Sequence, residues 1–393
     1  MRAASAKAIP LASRRESGTS RRSRTAGSSS DERGAASRAT SARKRPAPAR
    51  TAEPGIVVRL IGGAPVYPVR QTAGAPVPHP TGGLIVTDNH RIKGVLSPVV
   101  TPFAADLATD PERFVRQSRW LLSQNVGLAV FGTNSEANSL SVEEKIELLD
   151  RLVGAGLDPA RMMPGTGCCA LPDSVRLTAH AMKVGCGGVL MLPPFYYKGL
   201  SDDGLFRSFA EVIERVGESR LRVYLYHIPP VAHVPITLGV VERLLAKYPA
   251  QIAGMKDSGG DWSNTKAFID AFAKSGFDVF AGSETFLLQN MRSGGAGCIS
   301  ATANVNPGPI ARLFDTWKDA DADAQQGRLD MIRGIFQKFP MIPALKAAIA
   351  HHGRDAGWAT VRPPLVALTS AQSSALVGEL DQRKFTMPGL AAR

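Results

Sequence analysis

The sequence predicts an α/β chain folded as a (β/α)8 TIM barrel, with a disordered basic segment before it and a C-terminal helical extension after it. Three observations predict it. From Lys93 onward, eight short and almost continuously apolar runs alternate with stretches of helical periodicity, as parallel strands covered by helices require. Beyond Asn306 only helical periodicity remains. A doubly wound open sheet, the competing fold, calls for a Gly-x-Gly-x-x-Gly turn after its first strand, and the sequence has none there.

Residues 1–50 are mostly Arg, Ser, Ala and Gly, with too few large apolar side chains to offset the entropy of ordering, so disorder is expected. Their Arg- and Ser-rich character also resembles an organelle transit peptide, against which stand Glu16, Asp31 and Glu32. A nucleic-acid-binding tail would lack an aromatic platform, and an over-extended start or a solvated tail is the plain alternative. Residues 51–90 add Pro and Gly around short apolar pieces such as 56–61, a loosely attached strand. Residues 1–90 hold 15 Lys/Arg against 5 Asp/Glu, so they carry +10 of the formal charge of +13. The remainder is nearly neutral, and no nucleic-acid partner is expected for it.

The barrel is read over 93–305. Strand one is 94–101, followed by an amphipathic helix over 111–124, and strand two is 126–132. Ser141 and Glu144 form a Ser-x-x-Glu capping box that opens the next helix, which runs to about 153. Strand three is 161–165 with a helix over 172–184, and strand four is 188–192 with a helix over 202–216. Strand five, 221–227, precedes a helix over 238–248; strand six, 252–256, precedes one over 264–273. Strand seven is 278–281, then a helix over 286–292, and strand eight is 297–300. The extension, 306–381, is read as helices over 307–322, 327–337, 343–352 and 371–380, with a tail over 382–393.

Cys168, Cys169, Cys186 and Cys298 fall among apolar or small residues without metal-ligand spacing, and are read as reduced core thiols of a cytoplasmic protein. The pairs His227/His233 and His351/His352 lack carboxylate or cysteine companions, so no metal is assigned. No apolar run approaches the length that crosses a bilayer, and no membrane partner is expected.

In barrels of this kind chemistry sits where strands end. Strand six ends on Lys256 and strand five ends near Tyr226, at corresponding places, so both side chains enter one pocket if both point inward. An ammonium taken out of water gives up a proton more readily, and the neutral amine condenses with a carbonyl to an iminium. The other strand ends supply hydroxyls and few carboxylates, which suits iminium chemistry on a small keto acid better than metal chemistry or paired-carboxylate hydrolysis. Residues 132–135, Gly-Thr-Asn-Ser, would offer backbone N–H groups and short polar side chains to a substrate carboxylate, or form an ordinary strand-to-helix turn. The glycine-rich run 293–297 looks like a phosphate loop but precedes strand eight, which places it on the opposite face.

Taken in order, Gly132-Thr133-x-x-Glu136, Gly165-Thr166-Gly167, Pro193-Pro194-Phe195-Tyr196, Tyr226-x-x-Pro229, Gly254-x-Lys256-Asp257-Ser258 and Gly297-x-Ile299-Ser300-x-Thr302-Ala303-Asn304 form one set. The set resembles the dihydrodipicolinate synthase / N-acetylneuraminate lyase family of Schiff-base-forming pyruvate aldolases. Residues 342–348 and 361–365 are similar to that family's C-terminal helices, and the likeness covers about 93–381. The resemblance implies that Lys256 forms the Schiff base with pyruvate or another 2-keto acid and that Tyr226 shuttles protons. It implies that Thr133 links Tyr226 to a second tyrosine, best matched by Tyr196, with Tyr197 left open by a one-residue shift. It implies that the main chain of Thr133 and Asn134 holds the keto-acid carboxylate, that Ile299 lies against bound pyruvate, and that no cofactor is used. An aldehyde is the implied second substrate, and a homodimer or homotetramer is implied because the second tyrosine crosses a subunit interface in several members.

Three places in the sequence depart from the family pattern. Where true dihydrodipicolinate synthases carry an arginine for the second substrate's carboxylate, this sequence has Val231. Thr133, Asn134 and Ser135 replace the usual Thr-Thr-Gly or Ser-Thr-Gly, and His227 replaces a common asparagine, to meet a different acceptor or to bond the backbone. Aspartate semialdehyde is therefore not the expected partner. Two alternatives stand beside this reading: 4-hydroxy-tetrahydrodipicolinate synthase activity despite Val231, and a non-catalytic small-molecule-binding barrel whose tail binds nucleic acid or another partner.

Overall fold

The structure is a computed structural model and describes residues 91–390. The expectations for residues 1–90 lie outside the described residues, as does the end of the tail.

Seven parallel strands form one sheet: β1 (Gly94–Ser97), β2 (Gly127–Leu128), β3 (Val189–Met191), β4 (Val223–His227), β5 (Ile252–Asp257), β6 (Asp278–Ala281) and β7 (Gly297–Ile299). Their order is β2-β1-β7-β6-β5-β4-β3, which returns the chain's first strands to the side of its last. The sheet is curled and helix-covered, a TIM-barrel-like α/β fold.

Sequence strand three is not a continuous strand, and Pro164 gives the reason. Residues 162–166 lie between the two edge strands, where Met163 N–H donates to Leu128 O at 2.8 Å and Thr166 N–H to Leu190 O at 3.0 Å. Proline has no N–H to give, so Pro164 only accepts, from Leu190 N–H at 2.9 Å, and the ladder breaks into isolated bridges.

Strand interiors are apolar on both faces because both faces are covered. One buried cluster, including Leu96, Leu190, Tyr224, Tyr226, Phe280 and Ile299, fills the space inside the curled sheet. A larger one joins the outer strand faces to the helices. Gly254 sets how closely β5 and β6 approach: a Cβ there would meet Asp278 O at 2.1 Å. Gly297 has φ +135°, and its Cβ would meet Gly94 O at 1.9 Å, so only glycine lets β7 lie against β1. The capping box is present, Ser141 Oγ accepting from Glu144 N–H at the head of helix Val142–Gly154.

After the sheet come helices Pro307–Asp315, Ala322–Phe336, Met341–His352 and Ser370–Gln382. The first is shorter than the sequence pattern suggested and the second starts earlier. Thr316 turns its hydroxyl back onto Arg312 O at 2.8 Å and takes the Gln325 amide at 2.9 Å, which ends the first helix. Gly327 sits inside the second helix, carried by the buried Ala322, Gln325 and Leu329 around it. Cysteine burial also needs correction: Cys186 and Cys298 are core thiols, whereas Cys168 is half-buried and Cys169 exposed, because both follow the 162–166 segment into a loop. Among the described residues no helix is long and apolar enough to cross a membrane.

Candidate active site

Tyr226 on β4 and Lys256 on β5 are register partners, so the two side chains leave the sheet side by side. Each is 2 % exposed. Lys256 Nζ donates to Tyr226 Oη at 3.2 Å and lies 4.3 Å from the centroid of the tyrosine ring. Tyr226 Oη in turn shares a hydrogen bond of 3.1 Å with Thr133 Oγ1. An amine, a phenol and an alcohol therefore form one continuous chain of exchangeable hydrogens.

The strand end that carries the lysine is fixed by its neighbour. Asp257 is buried and accepts from Thr265 Oγ1 at 2.7 Å, Asn264 Nδ2 at 2.9 Å and Gly259 N–H at 2.8 Å. His227 sits across from it in register and faces the backbone, with Nδ1 accepting from Ile236 N–H at 3.0 Å. Burial holds the His227 imidazole below its ordinary pKa, with Asp257 pulling the other way. The imidazole is a structural bond acceptor here, the backbone-bonding role the sequence allowed.

The turn Thr133–Ser135 is held so that its first two N–H groups stay open. Ser135 N–H donates to Gly132 O and Glu136 N–H to Thr133 O, while no protein acceptor among the described residues takes the N–H of Thr133 or Asn134. Ser135 is buried rather than presented: its Oγ accepts from Gly132 N–H at 3.2 Å, and its carbonyl accepts from Thr101 Oγ1 at 2.7 Å. The Asn304 side chain ties the loops after β1 and β7, bonding Val100 N–H at 2.9 Å and Pro98 O at 3.0 Å.

A cavity of about 470 Å³ opens at these strand ends, with Thr133, Asn134, Tyr226 and Lys256 in its wall. Val231, 58 % exposed, lines it from the helical turn Pro229–Ala232. Ile299 is fully buried in the same interior cluster as Tyr226. Tyr196 is not brought to Thr133 within this chain: it is 74 % exposed and packs edge-on against Tyr197 with ring centroids 5.4 Å apart. The glycine-rich run 293–297 precedes β7, away from the lysine-bearing ends, and the Asn290 amide braces it by donating to Gly297 O at 2.8 Å and Val279 O at 3.0 Å.

Two ion pairs near the strand ends, one fully buried and one partly, went unread in the sequence. Glu136, in left-handed backbone at φ 55°, pairs with the fully buried Lys346 and accepts from Arg362 N–H at 3.0 Å. Lys346 Nζ also donates to Thr360 O at 2.8 Å and lies 4.4 Å from the Phe103 ring centroid. Burial lowers the Lys346 amine to about 8, against the attraction of Glu136. The signal was there, since Glu136, Lys346 and Arg362 each lie in a motif already singled out. The second pair, Glu284 with Arg333 at 3.1 Å, had no such signal. Among the described residues no three His, Cys, Asp or Glu gather as a metal site would need.

The fold and this lysine-bearing pocket define a class, the α/β-barrel lyases. The chain belongs to the dihydrodipicolinate synthetase family, whose model matches residues 91–383. It is similar to an uncharacterized DapA-like lyase from Chloroflexus aurantiacus, 33 % identical over 287 residues that cover 72 % of this chain and 94 % of the relative. A 4-hydroxy-tetrahydrodipicolinate synthase from Methanococcoides burtonii is 30 % identical over 74 % of this chain and 98 % of its own length. The solved dihydrodipicolinate synthase from Agrobacterium tumefaciens superposes with a TM-score of 0.68 at 30 % identity, covering 74 % of this chain and 98 % of that one. A prophage protein of the same family from E. coli, solved in complex with pyruvate, gives a TM-score of 0.68 at 27 % identity over 75 % and 99 %.

Proposed function

We propose that this lyase works through a Schiff base between Lys256 and pyruvate or another 2-keto acid. The observation that carries the reading is the buried contact of Lys256 Nζ with Tyr226 Oη at 3.2 Å, extended to Thr133 at 3.1 Å. The free amine adds to the C2 carbonyl, water leaves, and the resulting iminium draws electrons from the adjacent C–H or C–C bond to give an enamine. Tyr226 supplies or removes the proton at each step, positioned for it by both hydrogen bonds. The open N–H groups of Thr133 and Asn134 receive the keto-acid carboxylate, and Ile299 backs the bound substrate. Tyr196 completes the relay through Thr133 from a neighbouring subunit, in a homodimer or homotetramer; its exposure in the single chain supports that assignment. The chemistry asks for no cofactor, because the covalent adduct is itself the electron sink.

The second substrate is an aldehyde other than aspartate semialdehyde. A charge-assisted hydrogen bond contributes about 1.5–3 kcal/mol, and Val231 has none to give where the family's synthases use an arginine. The synthase names of some relatives keep 4-hydroxy-tetrahydrodipicolinate synthesis as the reading to be tested against.

The test is to screen 2-keto-3-deoxy sugar acids for pyruvate release, and aldehydes for pyruvate consumption, aspartate semialdehyde among them. Turnover is expected with a member of the panel other than aspartate semialdehyde, falling about 10²–10⁴-fold in Tyr226→Phe while the adduct still forms. Undiminished turnover in Tyr226→Phe contradicts the proton-shuttle role, and turnover of aspartate semialdehyde alone returns the chain to the synthases.

A further inference from the structure

We infer that Arg333 recognises a distal carboxylate of the keto acid held on Lys256, a group distinct from the second-substrate carboxylate that residue 231 cannot bind in this chain. The inference rests on the Lys256 adduct proposed above. Arg333 comes from helix Ala322–Phe336, outside the sheet, and reaches the wall of the same cavity that Lys256, Tyr226 and Val231 line.

Its guanidinium is anchored on one side only. Nη1 donates to Glu284 Oε2 at 3.1 Å and to Ser300 Oγ at 3.2 Å. Glu284 is 1 % exposed and also accepts from the hydroxyls of Ser300 and Thr302, so the anchor is a built, buried network. No protein atom among the described residues takes the hydrogens of Nε or Nη2, and Nε is buried without a partner. Nη2 is therefore the donor left to a carboxylate in the cavity, while Nε, closed off from solvent, joins it in a paired contact only if the side chain shifts.

Charge decides the ligand class. Lys256 and Arg333 are the basic residues of the cavity wall among the described residues and Asp257 is its acidic one, and Lys256 becomes the iminium of the adduct. One guanidinium, already partnered by Glu284, matches a singly charged carboxylate better than a doubly charged phosphate. Gln337, one helical turn beyond Arg333, lines the same cavity and adds a neutral amide beside it. The substrate is thus held at two ends, with C1 at the Thr133–Asn134 turn and the distal carboxylate at Arg333.

The experiment uses adduct trapping, so no second substrate is needed. The full chain is incubated with pyruvate, with the dicarboxylates 2-oxoglutarate and 2-oxoadipate, and with 2-oxopentanoate and 2-oxohexanoate, the same chains lacking the distal carboxylate. Borohydride fixes the adduct, and the half-saturating concentration is read by peptide mapping. At one chain length or both, the dicarboxylate is expected to half-saturate at least about tenfold lower than its monocarboxylate match, with the ratio falling to about one in Arg333→Gln. Arg333→Lys, which keeps the charge and loses the paired donors, should give an intermediate ratio. Because Arg333→Gln leaves Glu284 buried without its cation, the double variant Arg333→Gln/Glu284→Gln provides the same comparison should the single one not fold. Equal half-saturation in the parent at both lengths, or a preference that survives in the variants, overturns the assignment. An absent adduct with every acid, pyruvate included, instead overturns the Lys256 chemistry and this inference with it.

Discussion

His227 separates the chemistry of a site from the chemistry of its support. The residue stands one place after Tyr226 and beside the cavity, yet its Nδ1 takes the Ile236 N–H at 3.0 Å and its ring is buried. Protonation would turn that acceptor into a donor facing a donor, and burial opposes the charge as well. The folded-state pKa therefore lies below the ordinary 6.5. Between the two values the unfolded chain binds a proton that the folded chain does not, so this contribution is in place above about pH 6.5 and is lost as pH falls below it. The thermal midpoint should drop as the buffer is taken from pH 7 to pH 5, and His227→Asn should show a shallower drop. An identical pH dependence in the two proteins would mean that His227 is not among the groups responsible.

Between elements, the ion pair of Glu136 and Lys346 joins the turn after β2 to helix Met341–His352, across 210 residues of sequence. Glu136 follows directly on the Thr133–Ser135 turn and holds a left-handed backbone at φ 55°. Lys346→Met leaves a buried carboxylate unpaired and should cost about 3–5 kcal/mol, while Glu136→Gln/Lys346→Met should recover much of the loss. Thermal unfolding of the three proteins reads this directly; a single variant as stable as its parent would remove the pair from the account. The same scale shows what a sequence can and cannot disclose. Tyr226 and Lys256 were legible because parallel strands put their chemistry at one end and neighbouring strands place equivalent positions side by side. Arg333 and Glu284 were not, since they lie 49 residues apart on a helix and on a single helical turn, Glu284–Phe286, whose meeting depends on tertiary packing. Strand three was legible as an apolar run, but the missing N–H of Pro164 breaks its ladder. The helix end at Thr316 was missed because one hydroxyl, bonding back to Arg312, overrides the apolar period.

For the whole molecule, the sheet and its helices bring the Thr133–Ser135 turn, the phenol and the amine together within one chain, and leave Tyr196 and Tyr197 outside at 74 % and 69 % exposure. Two adjacent exposed tyrosines fit a surface that a second copy covers. Sedimentation velocity is expected to give a dimer or tetramer, with Tyr196→Ala shifting it toward smaller species; a monomer with full turnover would contradict the shared relay. The central claim is tested most directly by reducing the protein with borohydride in the presence of pyruvate, digesting it, and locating the modified lysine. A stable pyruvate adduct on Lys256 is the predicted result. An adduct on another lysine, or none with pyruvate and none with longer 2-keto acids, would contradict it.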